Sequence, residues 1–129
     1  TKKSIIRNPH NPCSEALLRA CDRLGMLVLD EYADMWYIHK TPHDYACALE
    51  NYWQDDLEYI VQKDYNHPSV VMYSLGNEVS ETGQTRGMAL CRDMAERLLT
   101  RDGTRPVTCA VNPFFNVLSG LGLGRYGTF

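Results

Sequence analysis

Met26-Leu27-Val28-Leu29 is an unbroken apolar run of strand length that ends on two acids, Asp30 and Glu31. A strand without polar alternation is buried on both faces, which is the situation of a parallel sheet covered by helices. Val70-Val71-Met72-Tyr73 repeats the pattern, ahead of Ser74-Leu75-Gly76-Asn77-Glu78. Two further extended runs, Ser4-Ile5-Ile6-Arg7 and residues 106–111, bring the expected strands to four.

Helical signals fill the intervals. Ser14 is a good N-cap, Leu17, Cys21 and Leu24 recur at helical spacing, and Gly25 stands where a left-handed C-terminal residue is wanted. Tyr45, Leu49, Tyr52, Leu57, Ile60 and Val61 form a second apolar stripe that ends near Asn66-His67-Pro68. Met88, Cys91, Ala95 and Leu98 mark a third helix, closed by Asp102-Gly103. Beyond Asn112-Pro113 the sequence is Gly-rich and weakly periodic, and reads as the start of the next connection.

The order strand, helix, strand, helix, strand, helix, strand is βαβ repetition. Such units build an open doubly wound sheet or a barrel, and both carry their chemistry at the C-terminal ends of the strands. No G-x-G-x-x-G follows a strand, so the dinucleotide-binding version loses its support and no cofactor is expected. A closed barrel needs eight strands and typically ~250 residues. The fold class expected is therefore α/β, a partial (β/α)8 TIM barrel of about strands two to five with their intervening helices, residues 1–129 being a fragment of one barrel domain.

Composition narrows the partners. A net charge of −3, with 22% charged residues, offers no basic stripe for a phosphate backbone. No apolar run approaches a membrane span of ~20 residues. Nucleic acid and membrane are thus not expected as partners. The five cysteines, at 13, 21, 47, 91 and 109, are odd in number and contain no C-x-x-C pair, which points to reduced thiols and a cytoplasmic setting. No secretory-type segment opens the chain, although for an internal piece that says nothing of the parent.

The strand ends collect Arg7 and His10, Asp30 and Glu31, Asn77 and Glu78, and Asn112, with Trp36 and Tyr37 close by in sequence. Carboxylates, amides and aromatic rings suit a pyranose, whose hydroxyls take forked polar partners while its C–H face stacks on rings. No His stands at ligand spacing from Asp30-Glu31, so no metal site is expected. A Glu just before a helix also has a plainer use, as a favourable charge at the helix N-terminus.

Three blocks carry a resemblance: Ile6-Arg7-Asn8-Pro9-His10-Asn11-Pro12, Cys21-Asp22-Arg23-Leu24-Gly25-Met26-Leu27-Val28-Leu29-Asp30-Glu31, and Asn66-His67-Pro68-Ser69-Val70-Val71-Met72-Tyr73-Ser74-Leu75-Gly76-Asn77-Glu78. In order and spacing they resemble glycoside hydrolase family 2, the β-galactosidase and β-glucuronidase family, over residues 4–112. Tyr73 stands where that family commonly has Trp, a change an inward strand position tolerates.

The resemblance implies a retaining β-glycosidase, most like β-galactosidase, with Glu78 as general acid/base at the end of barrel strand four and Asn77 holding the sugar 2-hydroxyl. The nucleophile of the family lies on strand seven, so this chain is expected to be a piece that lacks it. His10 is similar to a family histidine lining the sugar site. Arg7 has two readings, a partner for the nucleophile carboxylate or a neutraliser of Asp30 or Glu31. Asp30 and Trp36 complete the candidate sugar contacts, beside plainer readings as structural hydrogen bonding and loop packing; His67, at a strand entrance, reads as structural. The other functional reading is an inert half-barrel that self-associates or binds sugar weakly, and with open sheet edges a homo-oligomer is expected.

Overall fold

The computed structural model describes residues 4–122. Four parallel strands lie in the order β1-β2-β3-β4: β1 (Ile5–Asn8), β2 (Leu27–Glu31), β3 (Val70–Ser74) and β4 (Val107–Thr108). Consecutive strands are neighbours, and each crossover carries a helix: α1 (Glu15–Leu24), α2 (Ala46–Asp64) and α3 (Thr85–Arg101). A partial barrel wall is built this way, with α1 packed on β2 and α3 on β4.

The local signals act as expected. The Ser14 side chain accepts the Leu17 N–H at 3.3 Å, and Gly25 takes φ 67°, where a Cβ would be strained. Helix α2 starts without a cap from its own flanking residue, Tyr45; the Asp44 carboxylate accepts the Ala46 N–H at 3.1 Å instead.

Two expectations change. The fourth strand, expected over 106–111, shortens to Val107–Thr108, after which the chain stays beside the end of β3 through single bonds and a lone bridge between Val79 and Val111. The segment after Asn112 is not open connection from its start: Pro113–Gly120 is a helix, α4. Asn112 caps it, accepting the N–H groups of Phe114 and Phe115, and Pro113 occupies the first turn, where no N–H is missed. The rest of the expected connection, residues 123–129, lies outside the described residues.

The core sits between sheet and helices: Leu18, Val28, Leu49, Leu57, Tyr73, Leu75, Val79, Met94 and Leu98 are buried there. Alternation along a strand sends neighbours to opposite faces. Val28 and Asp30 therefore face the helices, while Leu29 and Glu31 face what would be the barrel interior. That inner face is open: Ile5 is 65% exposed, and Leu29 and Met72, paired across β2 and β3, are only partly covered.

Candidate active site

Glu31 organises the inner side of the strand ends. Its side chain is fully buried, yet three elements reach it. Arg7 donates from Nε at 3.3 Å and Nη2 at 2.9 Å, the Ser74 hydroxyl donates at 2.8 Å, and the His10 backbone N–H donates to Oε1 at 2.7 Å. A buried carboxylate is tolerated only with such a set of donors. Arg7 thus neutralises Glu31 in this geometry.

Arg7 also donates to Asn77 Oδ1 at 2.6 Å. Because a guanidinium only donates, this contact fixes the orientation of the amide. The Nδ2 end then donates to Asp34 Oδ1 at 3.0 Å. Lys40 Nζ donates both to Asp34 Oδ1 at 2.7 Å and to the Asn77 carbonyl at 2.5 Å, and His10 Nδ1 lies 2.8 Å from the same Asp34 oxygen. Burial alone would push the Asp34 carboxyl up, but Lys40, Asn77 and His10 outweigh it and hold it at about 2. The side chain and backbone of Asn77 are thereby both clamped, with its N–H on the Ala33 carbonyl at 3.2 Å.

This clamp bears on the residue after it. Glu78 is exposed and sits at φ 48°, and His10 sits at φ 77°; among the described residues these are the two non-glycine positions with positive φ. Left-handed backbone costs a residue with a Cβ about 1–2 kcal/mol, and it persists only where surroundings over-determine it. Here Lys40 holds the peptide before Glu78, and the Val79 N–H, on the Ala110 carbonyl at 3.1 Å, holds the chain after it. The strain falls on the Glu and the His that stand at the strand ends.

Two expected sugar contacts lie elsewhere. Asp30 is 2% exposed and faces the helices, accepting the Cys13 N–H at 2.7 Å and the Lys63 ammonium at 2.9 Å. Trp36 is 0% exposed, its indole donating to the Leu75 carbonyl at 3.0 Å past Gly76, where a Cβ would stand 2.6 Å from Val79. Neither side chain is open to a ligand; both hold the strand end and its loop in place. His67 binds Asp22 at 2.6 Å at the opposite end of the sheet.

Asp34, Lys40 and Glu81 escape the sequence reading. Glu81 is buried, and its Oε1 accepts the N–H groups of Trp36, Tyr37 and Ile38 at 2.8, 2.9 and 2.9 Å. It ties the loop after β2 to the one after β3, and so sets where Asp34 and Lys40 meet Asn77. Among the described residues no group of three His, Cys, Asp or Glu side chains is placed to hold a metal ion, and no helix is long and apolar enough to cross a membrane.

Residues 3–123 match the family model of the glycosyl hydrolases family 2 TIM barrel domain. The chain belongs to glycoside hydrolase family 2. Among curated relatives, it is 50% identical over 76 residues to the β-galactosidase BoGH2A of Bacteroides ovatus, a match over 59% of this chain and 9% of that protein. The rat β-glucuronidase is 30% identical over 115 residues, 89% of this chain and 17% of the relative. A solved family 2 structure from Bacteroides cellulosilyticus superposes with a TM-score of 0.82 at 43% identity, covering 90% of this chain and 16% of that one. The chain thus spans under a fifth of the length of these family 2 proteins.

Proposed function

We propose that the full-length protein is a retaining β-glycosidase, most like β-galactosidase, in which Glu78 is the general acid/base. The observation that carries this reading is the left-handed backbone of Glu78, held by the Arg7–Asn77–Asp34–Lys40 clamp at the C-terminal ends of the strands. A solvent-facing glutamate serving only as helix charge has no need of strain or of a clamp.

In this role Glu78 gives its proton to the leaving glycosidic oxygen, then takes one from the water that resolves the glycosyl ester. The nucleophile is a second carboxylate about 5–5.5 Å away, supplied by sequence outside the described residues. Asn77, oriented by Arg7, retains hydrogen-bonding capacity for the sugar 2-hydroxyl. Arg7 and Glu31 form the rigid floor, and His10 stands between that floor and Asp34.

The test is a leaving-group series on the full-length protein. Glu78→Gln should slow β-glycosides with poor leaving groups by 100-fold or more, on the order expected for loss of a general acid, and those with good leaving groups far less. Equal loss across the series would show that Glu78 is not the acid.

A further inference from the structure

Asp34 has a property that the acid/base assignment leaves unused. All three of its donors, Lys40, His10 and Asn77, converge on Oδ1. Its Oδ2 carries no protein partner among the described residues, and the side chain is 24% exposed. A carboxylate already fixed through one oxygen is preorganised to accept hydrogen bonds from a ligand at the other, with little side-chain freedom left to lose on binding.

A pocket that shares Asp34 and His10 with the cluster around Asn77 has a definite character. A pocket of about 290 Å3 is lined by Asp34 with His10, Asn11, Tyr32, Asp44 and Tyr45 among others, and by no Lys or Arg. Asp44 is spent on structure, accepting the N–H groups of Lys40, Thr41 and Ala46. Lys40, 9% exposed, is spent on Asp34 and the Asn77 carbonyl. A hydroxyl-rich neutral ring entering here finds an acceptor and tyrosine rings, whereas a uronic acid carboxylate meets the Asp34 and Asp44 carboxylates, and the Lys40 ammonium is already committed to Asp34.

Resting on the glycosidase reading above, we infer that Asp34 is a substrate-binding and specificity-determining residue whose free carboxylate oxygen accepts hydroxyl hydrogen bonds from a neutral pyranose and disfavours uronic acids. The choice between galactoside-type and glucuronide-type substrates is then made in part by a residue of the loop after β2.

The experiment uses the full-length protein, with paired nitrophenyl β-galactoside and β-glucuronide substrates and a set of monodeoxy nitrophenyl β-galactosides. Asp34→Asn keeps the size and removes the charge. It should lower kcat/KM on the galactoside by about 10- to 100-fold, as for loss of a hydrogen bond to a charged acceptor, with no comparable loss on the glucuronide. One deoxy substrate should be poor for the parent enzyme yet lose nothing further on the variant. A merely structural role would lower both substrates by one factor and leave every deoxy penalty unchanged, and either result overturns the inference.

If Asp34→Asn does not fold, ligand-observed NMR on Glu78→Gln with free galactose and glucuronate decides instead. Binding of galactose in preference to glucuronate supports the inference; equal or tighter binding of glucuronate overturns it. Failure of the glycosidase reading shows separately, in the leaving-group series at Glu78, which does not involve Asp34.

Discussion

Replacing Asp64 by Asn tests whether the buried polar cluster beneath the site stabilises the fold or burdens it. Asp64 ends α2 with its side chain fully buried. Its Oδ1 pairs with Lys63, whose ammonium also serves Asp30 at 2.9 Å, and its Oδ2 has no partner. One cation thus answers two carboxylates. Burial first, and then the Asp30 charge, push the Asp64 carboxyl from 3.8 up to about 7, with Lys63 offsetting only part. Because the native state holds this proton more tightly than the unfolded chain, the contribution to stability is complete below pH ~4 and is lost as pH rises through about 7. Since a tenfold change in proton affinity is worth about 1.4 kcal/mol, the difference between the two limits is on the order of a few kcal/mol.

That window is distinct from the ordinary acid limb. Asp34, Asp22, Asp44 and Asp102 are all held below the usual carboxylate value by their donors, despite burial, so their contributions are present above pH ~4 and fall away only at lower pH. Urea denaturation of this chain, followed by fluorescence of the buried Trp36, should give a lower midpoint at pH 8 than at pH 5. Asp64→Asn should raise the pH 8 midpoint and erase most of the difference, while Lys63 keeps Asp30 as its partner. An unchanged pH difference in the variant, or a lower midpoint at pH 8, would refute the reasoning.

Glu81→Ala should destabilise the chain by roughly 2–5 kcal/mol, because it strips the acceptor from three backbone N–H groups at once; a denaturation midpoint within error of the parent would contradict this. The isolated chain is expected to turn over no β-glycoside and to associate with itself, since among the described residues β1 and β4 each leave an edge unpaired and α4 exposes Phe114 and Val117. Light scattering across a dilution series checks the second point, and a monodisperse 14.7 kDa particle at every concentration would exclude it.

The elements that depend on local rules were legible in the sequence: Ser14 and Gly25 bound α1, and the Leu27-Val28-Leu29 run is β2. The α4 signal was also present, in Asn112-Pro113, but apolar spacing over so few residues did not separate a helix from a connection. That Glu78, Asn77, His10 and Arg7 gather at one end of the sheet was legible for a different reason, since each lies at or just after a strand end, where position along the chain translates directly into position at the barrel mouth.

Asp30 and Trp36 show where that translation stops. Asp30 and Glu31 are adjacent in sequence, and alternation sends one to the helices and the other to the inner face, so the pair cannot both line a cleft. Which of them does so depends on which face of β2 the helices cover, and a run apolar on both sides hides that parity. The registers resolve it: Glu31 stands opposite Ser74 and within reach of Arg7, while Val28, two residues before Asp30, is sealed under the helices. Asp34 and Lys40 lie further still from any local rule. Asp34 is brought to Asn77 across 43 residues, and Lys40 across 37, by a loop whose course is set by the three bonds to Glu81. A loop held by a buried carboxylate from another crossover has no periodicity to read, and for that reason nothing local in the sequence marks Asp34 or Lys40 as neighbours of Asn77.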